Sequence, residues 1–195
     1  MNIGARTLVA CCDPALHIQA ESVLHLLGEL AEHGSLREGS RIRLGLSQLT
    51  VRARDNQLLL LQPRFEADVR ELSDDITQTL SLLADQAALA QQLGVAIQPT
   101  SFDHRMVVAC GALAHAHIYL ERSEPTDDND SGWYIGPADE PGEVECEHRR
   151  VYELVRERPA LLRVLGLPSG YLVAFEGDAI KTVLDTRDQD LWAAS

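Results

Sequence analysis

Two histidines, His115 and His117, have the spacing that comes nearest to a metal site in this 195-residue chain. Residues i and i+2 of a strand point to one face, so both imidazoles could bind one ion if another segment supplied a third ligand. The candidate third ligands are Asp103, His104, Cys146 and His148. The chain lacks a histidine pair at i, i+4 and a Cys-x-x-Cys motif, so the sequence favours ordinary strand histidines and we predict no metal.

Motifs for nucleophilic catalysis and phosphate binding are missing. The sequence has no Gly-x-Ser-x-Gly elbow, no Gly-x-x-x-x-Gly-Lys loop and no Gly-x-Gly-x-x-Gly loop. The run Asp127-Asp128-Asn129-Asp130 resembles the start of a calcium loop but lacks the combination of a sixth-position glycine and a twelfth-position glutamate. The carboxylates between Glu143 and Arg150 could act in acid–base chemistry, yet solvated charges at the start of a helix near Arg149 explain them more simply. We therefore predict no catalytic residue and no cofactor.

One window concentrates the charge of the chain. Between Glu121 and Glu147, ten carboxylates surround the single base Arg122, which accounts for nine of the 13 net negative charges. Such a cluster attracts a basic partner and speeds encounter, although many acidic runs are simply solvated loops. The apolar pair Trp133-Tyr134 inside this window must enter a core or face a partner, so we expect its centre to be ordered.

The overall composition excludes several partners. The chain carries 17 Lys and Arg against 30 Asp and Glu, with a net charge of −13 and a pI near 4.8. Nucleic acid and anionic lipid both require a positive surface, so neither is an expected partner. The first residues lack a sustained signal-peptide core and no stretch is long enough to span a bilayer, so we predict a cytoplasmic protein with four buried, reduced cysteines.

The first hundred residues predict an αββα-type arrangement. Asp13-Pro14 is a typical helix start, and apolar residues then recur at helical spacing to about His33, with Gly34 as a cap. From Arg41 the period changes to two, and the turn at Asp55-Asn56 together with the apolar run that follows it predicts an antiparallel meander with one face on the helix. Ser73-Asp74-Asp75 then starts a second helix that ends at Gly94.

Shorter elements are expected in the second half. We predict strands at 106–110, 117–122, 133–135 and 171–175, a helix over 149–157 and a short helix from Pro159 to Leu165. The fold class is therefore α+β, with antiparallel sheets packed against helices. The expected domains are 1–100, 101–186 and a loose tail over 187–195.

The second half resembles a known family of bacterial proteins. The resemblance rests on five segments spread over residues 104 to 177: 106–110, the strand 117–122 with its Tyr and Arg, Asp130-Ser131-Gly132-Trp133-Tyr134, the proline-bearing helix at 158–161, and the strand that follows Pro168-Ser169-Gly170. Together they resemble the immunity protein 33 domain. This resemblance implies a protein that binds and neutralises a toxin from a type VI or other contact-delivered secretion system.

The acidic window and the resemblance predict the same kind of partner, a cognate toxin with a basic surface, such as a nuclease. Carboxylates would pair with toxin Lys or Arg, and an aromatic residue would anchor the contact. The expected partner-binding residues are Asp127, Asp128, Asp130, Trp133, Tyr134, Asp139, Glu140 and Glu143, although the size of Trp133 also favours a place in the core.

Two other functions remain open from the sequence. The first is a scaffold or regulatory binding module with no toxin partner. The second is a small metal-dependent enzyme built on His115 and His117. The oligomeric state and the half that makes the contact are not predicted.

Overall fold

The computed structural model describes residues 1–3, 6–32, 36–139 and 144–193, which form two compact units, Met1–Ala84 and Asp85–Ser195. The division lies inside the helix Thr77–Leu93, N-terminal to the domain boundary expected near residue 100. The boundary near residue 100 concerns domains that fold independently, and it stays a prediction. No helix among the described residues combines the length and the apolar character needed to cross a bilayer.

The two long helices begin as their sequence signals predict. Asp13 Oδ1 accepts a hydrogen bond from the Ala15 amide at 2.8 Å, and a 3₁₀ turn (Pro14–Leu16) leads into α1 (His17–Glu32). The predicted end near His33 and the Gly34 cap lie outside the described residues. Asp75 Oδ1 accepts from the Thr77 amide at 2.9 Å where α2 (Thr77–Leu93) starts, and Gly94, with φ +68°, follows its end.

Six strands form the sheet of the N-terminal unit, in the order β1-β2-β5-β4-β3 with β6 pairing β5. The predicted meander β3-β4-β5 is confirmed, and β2 adds to it in parallel to β5. Side chains from α1, the sheet and the start of α2 share one core that includes Val23, Leu49 and Leu80. The strands are β1 (Asn2–Ile3), β2 (Arg6–Val9), β3 (Arg41–Leu44), β4 (Ser47–Arg54), β5 (Gln57–Pro63) and β6 (Leu72–Ser73).

The C-terminal unit also has a six-stranded sheet, in the order β10-β7-β9-β8-β11-β12. Only β7 and β9 run parallel among its described strand pairs. Short helices follow the strands: 3₁₀ turns at Ala112–Ala114, Val151–Glu153 and Pro159–Val164, and α3 (Leu154–Glu157). The strands are β7 (Arg105–Ala109), β8 (His117–Arg122), β9 (Asp130–Pro137), β10 (Cys146–Arg150), β11 (Leu172–Glu176) and β12 (Ala179–Leu184).

The two faces of the C-terminal sheet differ in burial. On one face, residues such as Leu120, Trp133 and Val173 are at most 1% exposed. The carbonyl of Leu165, at the end of the last 3₁₀ helix, accepts from the Trp133 indole, which places that helix on this face. On the other face, which we call the open face, the side chains remain partly or fully exposed: Val107, Tyr119, Glu121, Tyr134, Leu172 and Ala174.

The α+β class is confirmed, and several local predictions are corrected. Among the described strands, each sheet contains one parallel pair, and β1, β2, β6, β10 and β12 were not predicted. The helix expected from Arg149 begins at Val151, because Arg149 belongs to β10, which pairs with β7. Cys11, Cys110 and Cys146 are exposed, so the expectation of four buried thiols is wrong. In the described part of the expected tail, 187–193, Asp190 is bonded to β12, since its Oδ1 accepts from the Val183 amide.

Candidate partner-binding site

The acidic loop, residues 123–129, joins β8 to β9 and is held at its C-terminal end by Asp130. Oδ2 of Asp130 accepts from the Thr126 amide at 2.9 Å and from its hydroxyl at 2.8 Å, while Oδ1 accepts from the Gly132 amide at 2.9 Å. Burial raises the pKa of Asp130, but these hydrogen bonds outweigh it and the pKa lies below its ordinary value. The carboxylate therefore orders the loop.

Asp127 and Asp128 are the central carboxylates of the acidic loop. Asp127 Oδ1 accepts from the Asn129 amide at 2.7 Å, and its Oδ2 forms an ion pair with Arg105 at 2.6 Å. Asp128 is exposed, and no described residue hydrogen-bonds or ion-pairs with its side chain. The loop thus presents one fully solvated carboxylate beside one that is partly neutralised.

Gly132 allows the chain to turn back beside the acidic loop. Its φ is +73°, and a Cβ placed on it would lie 2.2 Å from the Ser123 carbonyl oxygen. The Ser123 amide donates to the Gly132 carbonyl at 2.9 Å, so the two backbones are in direct contact. The Asp and the Gly of the motif are therefore explained by backbone geometry: Asp130 caps the turn and only glycine fits the third position.

Trp133 is a core residue, as its size favoured. It is 1% exposed, and its indole nitrogen donates to the Leu165 carbonyl at 3.2 Å. A residue buried in this way supports the sheet from beneath and does not touch a partner on the surface. Trp133 is therefore not expected to contact a partner.

Arg122, the one base in the acidic window, is the main residue whose role the sequence analysis missed. It is 1% exposed and donates to backbone carbonyls that include Leu167 at 2.6 Å and Gln98 at 2.9 Å. Its guanidinium carbon lies 5.6 Å from the Trp133 ring centroid. Burial lowers the pKa of Arg122 to about 10. The alternation Ile118, Leu120, Arg122 was the available signal, because residues two apart in a strand share a face.

Tyr134 lies on the open face, where it packs against a second tyrosine. Its ring centroid is 5.6 Å from that of Tyr119, and burial and Tyr119 together raise the pKa of Tyr134 to about 12. A Cβ on Gly136 would meet the Tyr134 hydroxyl oxygen at 2.6 Å. Glycine at this position therefore lets the Tyr134 ring lie along its own strand and reach Tyr119.

Asp139 belongs to a separate charged group at the end of the open face. Its Oδ2 lies 2.6 Å from His117 Nδ1, and Glu176 lies 3.8 Å from the other ring nitrogen. The hydrogen bond to Asp139 and its charge raise the pKa of His117. Lys181 Nζ pairs with Glu176 at 2.5 Å. Glu140 and Glu143, also expected to contact a partner, lie outside the described residues.

The histidine pair is not part of a metal-ligand cluster among the described residues. His117 faces Asp139 and Glu176, whereas His115 precedes β8 and its carbonyl accepts from Arg158. No three His, Cys, Asp or Glu side chains in the described part of the chain are grouped as a metal ion would require.

Most bases of the C-terminal unit are buried or paired with carboxylates. Arg122 and Arg158 are at most 7% exposed, and Arg149 forms ion pairs with Glu147, Glu153 and Glu157. Residues 85–195 contain 19 Asp and Glu against nine Lys and Arg, a net charge of −10. Because the bases are largely occupied, the solvated charge of this unit is dominated by carboxylates.

Comparison with known proteins gives one match. The model of a family described as the Imm33-like domain matches residues 85–186, which includes the whole segment 104–177 that carries the resemblance. No curated protein and no solved structure matches the chain. The match begins at the first residue of the C-terminal unit.

Proposed function

Since the chain belongs to the Imm33-like domain family, we propose that it is an immunity protein that binds a cognate antibacterial toxin and neutralises it by covering a basic surface. The toxin would reach the cytoplasm through type VI secretion or another contact-dependent system. Family membership supports binding rather than catalysis as the activity. The negative charge of this chain supports a toxin with a basic surface, for example the phosphate-binding site of a nuclease.

The acidic loop is the observation that carries the electrostatic part of this proposal. Asp127 and Asp128 project from a turn that Asp130 and Arg105 hold in place, so their charges are presented without ordering the loop at the moment of binding. Charges at the edge of an interface act mainly on the rate of encounter. Asp127, Asp128 and Asp139 would therefore attract the toxin, and Asp130 would keep the loop in shape.

The test is an in-cell protection assay paired with binding kinetics. The probe is the protein encoded by the adjoining reading frame, expressed alone and together with this chain. We expect this chain to rescue growth and the two proteins to co-purify as a complex. An adjoining protein that is not toxic, or one that binds while growth still fails, would instead support a scaffold or regulatory module.

Charge reversal tests the acidic loop directly. Asp128→Lys should slow association about 3- to 10-fold at low salt and leave dissociation nearly unchanged, because this carboxylate has no internal partner among the described residues. Raising the salt from about 0.05 to 0.5 M should remove most of that difference. The matched control is Glu38→Lys, the same charge change at an exposed position of the N-terminal unit. Equal association rates for both variants would show that the acidic loop is a solvated turn that does not attract the toxin.

A further inference from the structure

The open face of the C-terminal sheet contains a row of side chains in exact register across adjacent strands. Val107 pairs with Tyr134, Tyr134 with Glu121, and Glu121 with Leu172. Leu172 pairs in turn with Leu184. Residues directly opposite on paired strands have Cβ atoms about 5 Å apart, so these five side chains form one continuous strip. Exposed His148 of β10 pairs with Val107 and borders the strip at that end.

The strip has the character of a binding surface. Every member except Glu121 is apolar or aromatic and only half-buried, and Tyr119 packs against Tyr134 from the neighbouring row. Tyrosine is enriched in interfaces because it offers a large contact area with few rotatable bonds and a polar end. Glycine is unfavourable in the interior of a strand, but a larger residue at Gly136 would collide with the Tyr134 ring. The arrangement therefore holds this ring in a fixed place on the surface.

Glu121 determines which partner can cover the strip. Its carboxylate is exposed between Tyr134 and Leu172, and no described residue pairs with it. Covering the strip removes water from this carboxylate, which is costly unless the partner supplies a cation. The partner must therefore bring a Lys or Arg to this point. Arginine fits best because its planar guanidinium can stack on a tyrosine ring while it pairs with the carboxylate.

A second copy of this chain is a poor occupant of the same surface. In a two-fold symmetric dimer built on this strip, the same patch faces itself and Glu121 would meet its own equivalent. The net charge of −10 on residues 85–195 adds repulsion between copies. Charge therefore favours a basic protein over self-association.

We propose that the cognate toxin docks on the open face and that a toxin arginine or lysine enters between Tyr134 and Leu172 to pair with Glu121. This inference rests on the proposed function and adds a second, separable role to it. The acidic loop governs encounter, whereas the open face governs how long the complex lasts. A charge pair that is desolvated at the centre of an interface affects mainly the dissociation rate.

The experiment measures association and dissociation rates with the catalytically inactivated protein of the adjoining reading frame. Glu121→Gln should speed dissociation at least about 10-fold, and Glu121→Lys more, with association changed less than about 3-fold by Glu121→Gln. Tyr134→Thr should also speed dissociation about 10-fold or more, while Tyr134→Phe, which keeps the ring, should change it less than about 3-fold. Glu38→Lys is the charge control in the N-terminal unit.

Thermal unfolding of each variant, and tryptophan fluorescence measured in a Trp192→Phe background so that it reports only the buried Trp133, establish that the sheet is intact. Tight binding by the wild type with dissociation unchanged in the folded Glu121 and Tyr134 variants would overturn the open-face proposal and leave the proposed function standing. Absence of any binding by the wild type would overturn both. Concentration-dependent dimerisation that Tyr134→Thr abolishes would assign the open face to a second copy and would also overturn the proposal.

Discussion

At the scale of single residues, the C-terminal unit is organised around a buried cation, Arg122, that has no buried carboxylate partner in the described part of the chain. Arg122 donates to backbone carbonyls instead, including those of Leu167 and Gln98, and lies against the Trp133 ring. Leu165 accepts from the indole of Trp133 and also from Arg122. Together with the Thr100 hydroxyl, which also donates to Leu165, the two side chains thus satisfy carbonyls of the irregular segment after the last 3₁₀ helix.

Replacing Arg122 with methionine should lower the free energy of unfolding by about 3 kcal/mol or more, because several buried carbonyls lose their donor at once. Arg122→Lys keeps the charge but loses the forked geometry, so we expect a smaller loss. Denaturant unfolding followed by circular dichroism measures both losses. The control is Arg187→Met at an exposed position, which should change stability by less than about 0.5 kcal/mol. Similar stabilities for the Arg122→Met and Arg187→Met variants would contradict this role.

The pKa of His117 should lie above the ordinary value for histidine, because the hydrogen bond to Asp139 and its charge stabilise the protonated form. Its folded-state pKa exceeds its unfolded value, so the contribution of the contact is complete below the unfolded pKa and is lost as the pH rises through the folded pKa. An NMR titration of the imidazole measures this. Asp139→Asn should lower the pKa of His117, whereas Asp128→Asn should leave it unchanged. A pKa of His117 that does not respond to Asp139→Asn would show that the contact does not form in solution.

At the scale of elements, the connection between β8 and β9 contains both the acidic loop and the turn at Asp130–Gly132 that follows it. The positive φ of Gly132 and its contact with the Ser123 carbonyl close the turn, and Asp130 caps it. Because β9 lies between β7 and β8 in the sheet, an error in this connection would displace Tyr134 and the acidic loop together.

Gly132→Ala should therefore destabilise the protein far more than an alanine at another left-handed glycine. The matched control is Gly177→Ala, since Gly177 has φ +57° but no atom within 4 Å of the added Cβ. We expect about 1 kcal/mol for Gly177→Ala, from backbone strain alone, and about 1 to 3 kcal/mol beyond that for Gly132→Ala, where the clash adds to it. Thermal and denaturant unfolding provide the values. Equal losses of stability in the Gly132→Ala and Gly177→Ala variants would mean that the Ser123 carbonyl moves away from the added Cβ at little energetic cost.

At the scale of the whole molecule, charge is distributed unevenly along the chain. The net charge is −13, and residues 85–195 account for −10 of it. Arg122 and Arg158 are buried and Arg149 pairs with three glutamates, so few bases remain to offset the solvated carboxylates. The cost of this arrangement is self-repulsion in the folded protein.

Added salt should consequently stabilise the isolated protein. We expect the Tm to rise by a few degrees, roughly 2 to 5 °C, between about 0.05 and 0.5 M sodium chloride, because screening weakens the repulsion. The double variant Asp127→Lys/Asp128→Lys should reduce this gain, while Glu21→Lys/Glu38→Lys in the N-terminal unit should reduce it less. Calorimetry over a salt series measures the effect. An equal rise of the Tm with salt in both double variants would show that the repulsion does not come mainly from the acidic loop.

Local signals in the sequence were enough to place several elements. The Asp13-Pro14 helix start, the alternation from Arg41 and the glycine after α2 each act within a few residues, so their outcome does not depend on the rest of the chain. The motif Asp130-Ser131-Gly132-Trp133 and the segments around it were sufficient to identify the family. The concentration of carboxylates is likewise a property of the sequence itself.

Tertiary structure decided which side of the sheet each residue faces and which strands become neighbours. It placed Arg149 in β10 because β7 offered an open edge to pair with, against the local helical pattern. It buried Arg122 beside Trp133, and it brought Tyr134, Glu121 and Leu172 together although about fifty positions separate Glu121 from Leu172. Pairings between distant segments depend on shape and burial summed over the whole sheet, and this information is absent from any short window of sequence.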